Sequence, residues 1–245
     1  MPPSDAAPTT PARPLFRVYL AIELVALYWL VPGLIDLGDR LDAPRWLGGP
    51  DTPVGRLLIP VLGIVGLALF LSLLLSKRFP NRSLWNWKAF TSELPRILLT
   101  ASIAFAIMVG LAAILDTVDS IPDEIAPFRL LLERPFLLLA ICFLYPIFSV
   151  YPQEIILRTW FFHRYAPLIT NVPLLLTVNA LTFAWVHVIF QNVWAVVLCI
   201  PAGFLFGYTY LKTKSTLASG VEHAIVGNLM WTSGLGWFFF AGSVA

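Results

Sequence analysis

Charge is scarce in this sequence. Asp, Glu, Lys and Arg together make up 12% of its 245 residues, about half the share of a soluble globular domain. That excludes an ordinary water-soluble fold, and a net charge of +2 is too small to attract nucleic acid or an acidic partner. Cysteine is rarer still, with two residues. Cys142 and Cys199 each lie inside an apolar run with no Cys-x-x-Cys spacing, and read as buried thiols rather than as a disulfide or a metal site. No His-Glu-x-x-His helix is present to announce zinc. The apolar runs are continuous instead of alternating with polar residues, which argues against a transmembrane β-barrel. No internal repeat is evident, which weakens an inverted-repeat transporter.

What is present is hydrophobic sequence: 58% of residues, with a mean hydropathy of +0.81. A membrane span needs ~20 apolar residues. The chain therefore reads as an all-α, polytopic membrane helical bundle of about seven (six to eight) transmembrane helices. Residues 1–14, rich in Pro, Ala, Ser and Thr, read as a disordered tail, and residues 15–245 as one helical domain. Spans are expected near 15–35, 57–76, 97–115, 135–165, 173–191, 193–211 and 215–240. The last is either broken at Gly234 and Gly236 or followed by a short re-entrant piece. Lys and Arg cluster at Arg13 and Arg17, from Lys77 to Arg96, at Arg164, and at Lys212 and Lys214. This alternation predicts a cytoplasmic N-terminus. Membrane lipids are the expected surroundings, and a bacterial plasma membrane the expected setting.

Three polar spots interrupt the late apolar runs. The first is Tyr151-Pro152-Gln153-Glu154-Ile155-Ile156-Leu157-Arg158. Charges at membrane depth cost at least ~2.5–3.5 kcal/mol each, so they face partners or a water-filled cavity. Glu154 and Arg158, four apart, share a helix face. The second spot is Phe183-Ala-Trp-Val-His187, where Asn179 and Gln191 extend the same face and make it look like a cavity lining. The third is Glu222-His223, with Asn228 further along. Glu23, in the first span, is expected to bond a neighbouring helix. Rise per residue puts Glu154 roughly 15 Å from Arg164 and His223 about 14 Å from Lys214, a matching depth, whereas His187 falls about 24 Å from Asn171. A carboxylate and two imidazoles can activate water, with nearby donors stabilising an oxyanion. Glu154, His187 and His223 are equally the ligand types of a catalytic zinc site. Spacing does not choose between these chemistries, and a proton relay through the same three residues stays open.

In this order, the three spots resemble the CAAX protease and bacteriocin-processing family of intramembrane proteases, over a motif-bearing core of about 136–231. That family carries Glu-Glu-x-x-x-Arg, then Phe-x-x-x-His, then His-x-x-x-Asn. Glu154 and Arg158, Phe183 and His187, and His223 match. The resemblance implies an intramembrane endopeptidase acting on a lipidated or membrane-anchored protein or peptide. Either no cofactor or a divalent metal such as zinc would serve it. It implies catalytic roles for Glu154, His187, His223, Arg158 and Asn228, and substrate contact by Phe183, Gln153 and Glu222. Two positions depart from the pattern. Gln153 stands where the water-activating glutamate is expected, and Gly227 where the asparagine is expected, one residue before Asn228. A π-bulge near Gly227 would bring Asn228 onto the cavity face. Either a displaced carboxylate, Glu154 or Glu222, supplies the base, or the chain is a non-catalytic member that binds peptide or prenylated substrate.

Overall fold

The computed structural model describes residues 13–40, 53–118 and 125–239, and among these every regular element is helical. Most of the expected tail, 1–12, and much of the acidic connections lie outside the described residues. Six described helices are long and apolar enough to cross a membrane: Pro14–Gly38, Leu58–Leu75, Asn81–Leu115, Pro135–Tyr165, Val172–Phe190 and Val193–Thr213. A seventh, Thr216–Ser233, is too polar to qualify on its own. It nevertheless runs the length of the bundle. At its head the Ser215 hydroxyl donates to the Asn86 carbonyl (3.4 Å), and at its foot the Thr232 carbonyl accepts from the Phe128 amide (3.2 Å). Protein surrounds it, so its polar residues meet partners instead of lipid.

Capping explains several boundaries. The side chains of Asn86, Asn171, Asn192 and Ser215 each accept a backbone N–H from the first turn of the helix they precede, satisfying a donor that the helix cannot use. The seventh helix stops at Gly234, whose φ of +99° is left-handed backbone that favours glycine. A 3-10 turn, Leu235–Phe239, follows. The expected break at Gly234 is therefore present. The third span starts earlier than its hydropathy suggests, at Trp87. Glu93 and Arg96, which made this stretch look extramembrane, are paired with each other at 2.7 Å and with Lys212 and Glu222 of the neighbouring helices.

The core joins Leu20 and Tyr28 of the first span with Phe161, Phe183, Phe206 and Val226 of the fourth to seventh helices. Glu23 takes two bonds from the Arg164 guanidinium, at 2.9 and 2.7 Å, and one from the Tyr165 hydroxyl at 3.1 Å, tying the first span to the fourth. The fourth span is the frame of the site. It is continuous from Pro135 to Tyr165 but widens twice into π-helix, at Pro146–Val150 and Ile155–Trp160, on either side of Tyr151–Glu154. Pro146 and Pro152 lack the N–H that an α-helical ladder requires, and π turns are a frequent relief. Carbonyls of the second π segment and its entry take side-chain donors: Thr159 on Glu154 (3.3 Å), Tyr28 on Ile156 (3.1 Å) and Asn179 on Leu157 (2.6 Å).

Candidate active site

Between the third, fourth, sixth and seventh helices lies a cavity of about 1080 Å³, at the upper end of the range for small-ligand sites. Its wall is mostly apolar. The polar exceptions at its inner end are Tyr145, Ser149, Gln153, His187 and His223. Arg129, Glu133 and Arg134 stand at its far rim.

Glu154 is fully buried beside the cavity and is not part of its wall. Neighbouring residues on a helix point about 100° apart, so with Gln153 turned to the cavity Glu154 faces the seventh helix. There Glu154 Oε1 accepts from His223 Nδ1 at 2.9 Å, with Arg158 Nε 4.0 Å away as countercharge. Arg158 is also fully buried. Its guanidinium lies 4.5 Å above the Phe183 ring, and Nη1 donates to the Leu157 carbonyl at 3.1 Å. A carboxylate only accepts, so Nδ1 of His223 carries a proton and Nε2 is left with a lone pair. Phe206 stacks on this imidazole at 4.4 Å and Phe183 meets it edge-on at 5.5 Å, so the ring cannot turn freely.

His187 reaches the same cavity although its rise per residue set it apart from Glu154 and His223. The fifth helix ends at Trp185 and tightens to 3-10 over Val186–Phe190. His187 Nδ1 donates back to the Phe183 carbonyl (2.7 Å), and the Phe183 ring, 4.9 Å from its own, separates it from His223. The imidazoles are thus neighbours across an aromatic ring. Phe190 and Phe239, which also line the cavity, pack against His187. The helical face expected to run from Asn179 to Gln191 does not stay together. Asn179 is spent on the Leu157 carbonyl, and Gln191 ends the 3-10 turn in left-handed backbone at φ 58°.

Glu222 points the opposite way from His223. Its carboxylate, itself buried, accepts from Arg96 (3.2 Å), Thr100 (3.1 Å) and Thr209, joining the third, sixth and seventh helices. Asn228 donates to the Cys142 carbonyl at 3.3 Å and does not line the cavity. The π-bulge that would have turned it inward is absent, because Thr216–Ser233 is regular α-helix.

Residues 134–229 match the family model for type II CAAX prenyl endopeptidases, Rce1-like. The matched stretch, about two-fifths of the chain, holds Tyr145, Gln153, Glu154, Arg158, Phe183, His187 and His223. The likeness to the CAAX proteases read from the three motifs therefore stands, and it rests on the motif-bearing helices. No curated protein and no solved structure that was compared matches the chain.

Two cavity residues escaped the sequence reading, Tyr145 and Ser149. Both sit on one helix face with Gln153, at steps of four. Gln153 Nε2 donates to Ser149 Oγ at 2.9 Å. Stepping back by fours from Gln153 would have found them. As for a metal, no three His, Cys, Asp or Glu among the described residues stand together as ligands. Glu154, the third ligand that zinc would need, spends Oε1 on His223 itself.

Proposed function

We propose that the protein is an intramembrane endopeptidase that hydrolyses a lipidated or membrane-anchored protein or peptide by water activated at the Glu154–His223 pair. The observation that carries this reading is the 2.9 Å bond between the two, buried at the cavity wall with Nε2 of His223 directed to the cavity side. His223 accepts the proton of the attacking water at Nε2. Glu154 holds Nδ1–H, fixes the tautomer and offsets the positive charge that the imidazole gains, while Arg158 keeps that carboxylate in place. His187, with Nδ1 committed to the Phe183 carbonyl, offers a second lone pair on which the water is held. The apolar wall accommodates a lipid chain or a hydrophobic peptide. These roles need no metal ion.

The second reading is a scaffold that binds such a substrate without cutting it. It is favoured by Gln153, whose neutral amide lines the cavity where the resemblance places a glutamate. Purified protein incubated with a panel of farnesylated, acylated and unmodified peptides, with and without chelator and beside Glu154→Gln, separates the two. Cleavage by wild type that survives chelator and is lost in Glu154→Gln supports the peptidase. Binding without cleavage, converted to cleavage by Gln153→Glu, supports the scaffold. Wild-type rates in both Glu154→Gln and His223→Ala remove the pair from the chemistry.

A further inference from the structure

Gly227 lies on the cavity face of the seventh helix, four residues after His223. A Cβ built there would stand 2.5 Å from Tyr145 Cε1 and 2.6 Å from the Tyr145 hydroxyl oxygen, inside contact distance of both. The space of a side chain at 227 is thus occupied by a tyrosine ring reaching across from the fourth span. The ring is half-buried, and its hydroxyl reaches His223 Nε2 at 3.2 Å. Because Nδ1–H is committed to Glu154, Nε2 accepts, and the Tyr145 O–H is the donor. Glu154, His223 and Tyr145 form one chain of hydrogen bonds that ends at the cavity.

We infer that Tyr145 is a catalytic residue: its hydroxyl is the oxyanion donor of the site, standing where a polar side chain at position 227 would otherwise reach. The inference rests on the peptidase reading and adds a residue to it. Before substrate arrives, the O–H closes on Nε2. When a carbonyl enters the cavity, the O–H rotates about its own C–O bond onto the carbonyl oxygen, which frees the Nε2 lone pair for water. The water oxygen bonds to the carbonyl carbon while its proton passes to Nε2. The carbonyl π pair moves to the oxygen held by Tyr145. Collapse of this intermediate breaks the C–N bond, Nε2–H gives its proton to the leaving amine, and the remaining water hydrogen stays with the acid product. Tyr145 donates a hydrogen bond throughout and loses no proton, so no further reactant is needed.

A structural role for Tyr145 would be met by its ring, which phenylalanine keeps. The test is therefore Tyr145→Phe, assayed with a quenched-fluorescent farnesylated peptide. The expected result is a fall in kcat of about 100-fold, as for loss of one oxyanion-hole donor, with KM within about twofold of wild type. A wild-type kcat in Tyr145→Phe overturns the inference and leaves the peptidase reading standing. Absence of cleavage by wild type overturns both. An exchange variant checks the position itself. Tyr145→Ala with Gly227→Asn moves the donor onto the seventh helix and is expected to cleave at least about tenfold faster than Tyr145→Ala alone. Equal rates in those two variants overturn the assignment of Tyr145 to the place of residue 227.

Discussion

The pairing of Glu154 with Arg158 and His223 gives one carboxylate two duties that mutation can separate. Glu154→Gln keeps the shape and an acceptor oxygen but removes the charge that balances an imidazolium. Its expected effect is a loss of about 10²–10⁴ in kcat per folded molecule, with a lowered melting temperature because the buried Arg158 loses its countercharge; matched cleavage and thermal unfolding in detergent check both. Arg158→Ala is the converse. It strands a carboxylate that is fully buried, at a cost of about 3–5 kcal/mol. Stability is expected to return in Arg158→Met combined with Glu154→Gln, since a neutral pair owes nothing for desolvation, while activity stays lost. Recovery of activity together with stability would show that Glu154 serves the fold alone.

At the scale of helices, Glu222 belongs to assembly. It joins the third, sixth and seventh helices through Arg96, Thr100 and Thr209, on the face away from the cavity. Glu222→Ala is expected to destabilise by about 1–3 kcal/mol, because it leaves the Thr209 and Thr100 hydroxyls without their acceptor while Arg96 keeps Glu93, and to cleave at the wild-type rate per folded molecule. A loss of activity larger than the loss of folded protein would return Glu222 to the chemistry. This division was hidden in the sequence, where Glu222 and His223 are adjacent and look like one polar cluster. Adjacent residues on a helix point to different neighbours, and only the packing tells which neighbour is the cavity. The same holds for Gln153 and Glu154. Motif spacing did pick helices that meet at the cavity, and the 2.9 Å bond between Glu154 and His223 agrees with their matched depth. It missed the Phe183 ring between the imidazoles, and it missed Tyr145, which carries no charge and sits in an apolar run.

For the whole molecule, apolar runs were enough to read the six spans, since burial in lipid is the strongest constraint on the chain. They said less about the cavity, which depends on how those spans lean on one another. Ile107 of the third span and Leu144 and Phe148 of the fourth line the cavity and are exposed, which places an opening of the cavity between those two spans. Access from the bilayer predicts that Ala104→Trp, which fills this gap, raises KM at least about tenfold for a lipidated peptide. It also predicts that binding strengthens with lipid length, by about 0.8 kcal/mol per buried methylene; a titration across a series of acyl chains checks it. The enclosed seventh helix has a consequence for how the protein is made. Carrying Glu222 and His223 at its middle, it cannot enter a bilayer by its own hydropathy. It leaves the ribosome after the six spans, when Arg96 and Glu154 are already in place to receive it. Biogenesis is therefore ordered: the bilayer accepts the earlier helices, and those helices, rather than the lipid, accept the seventh.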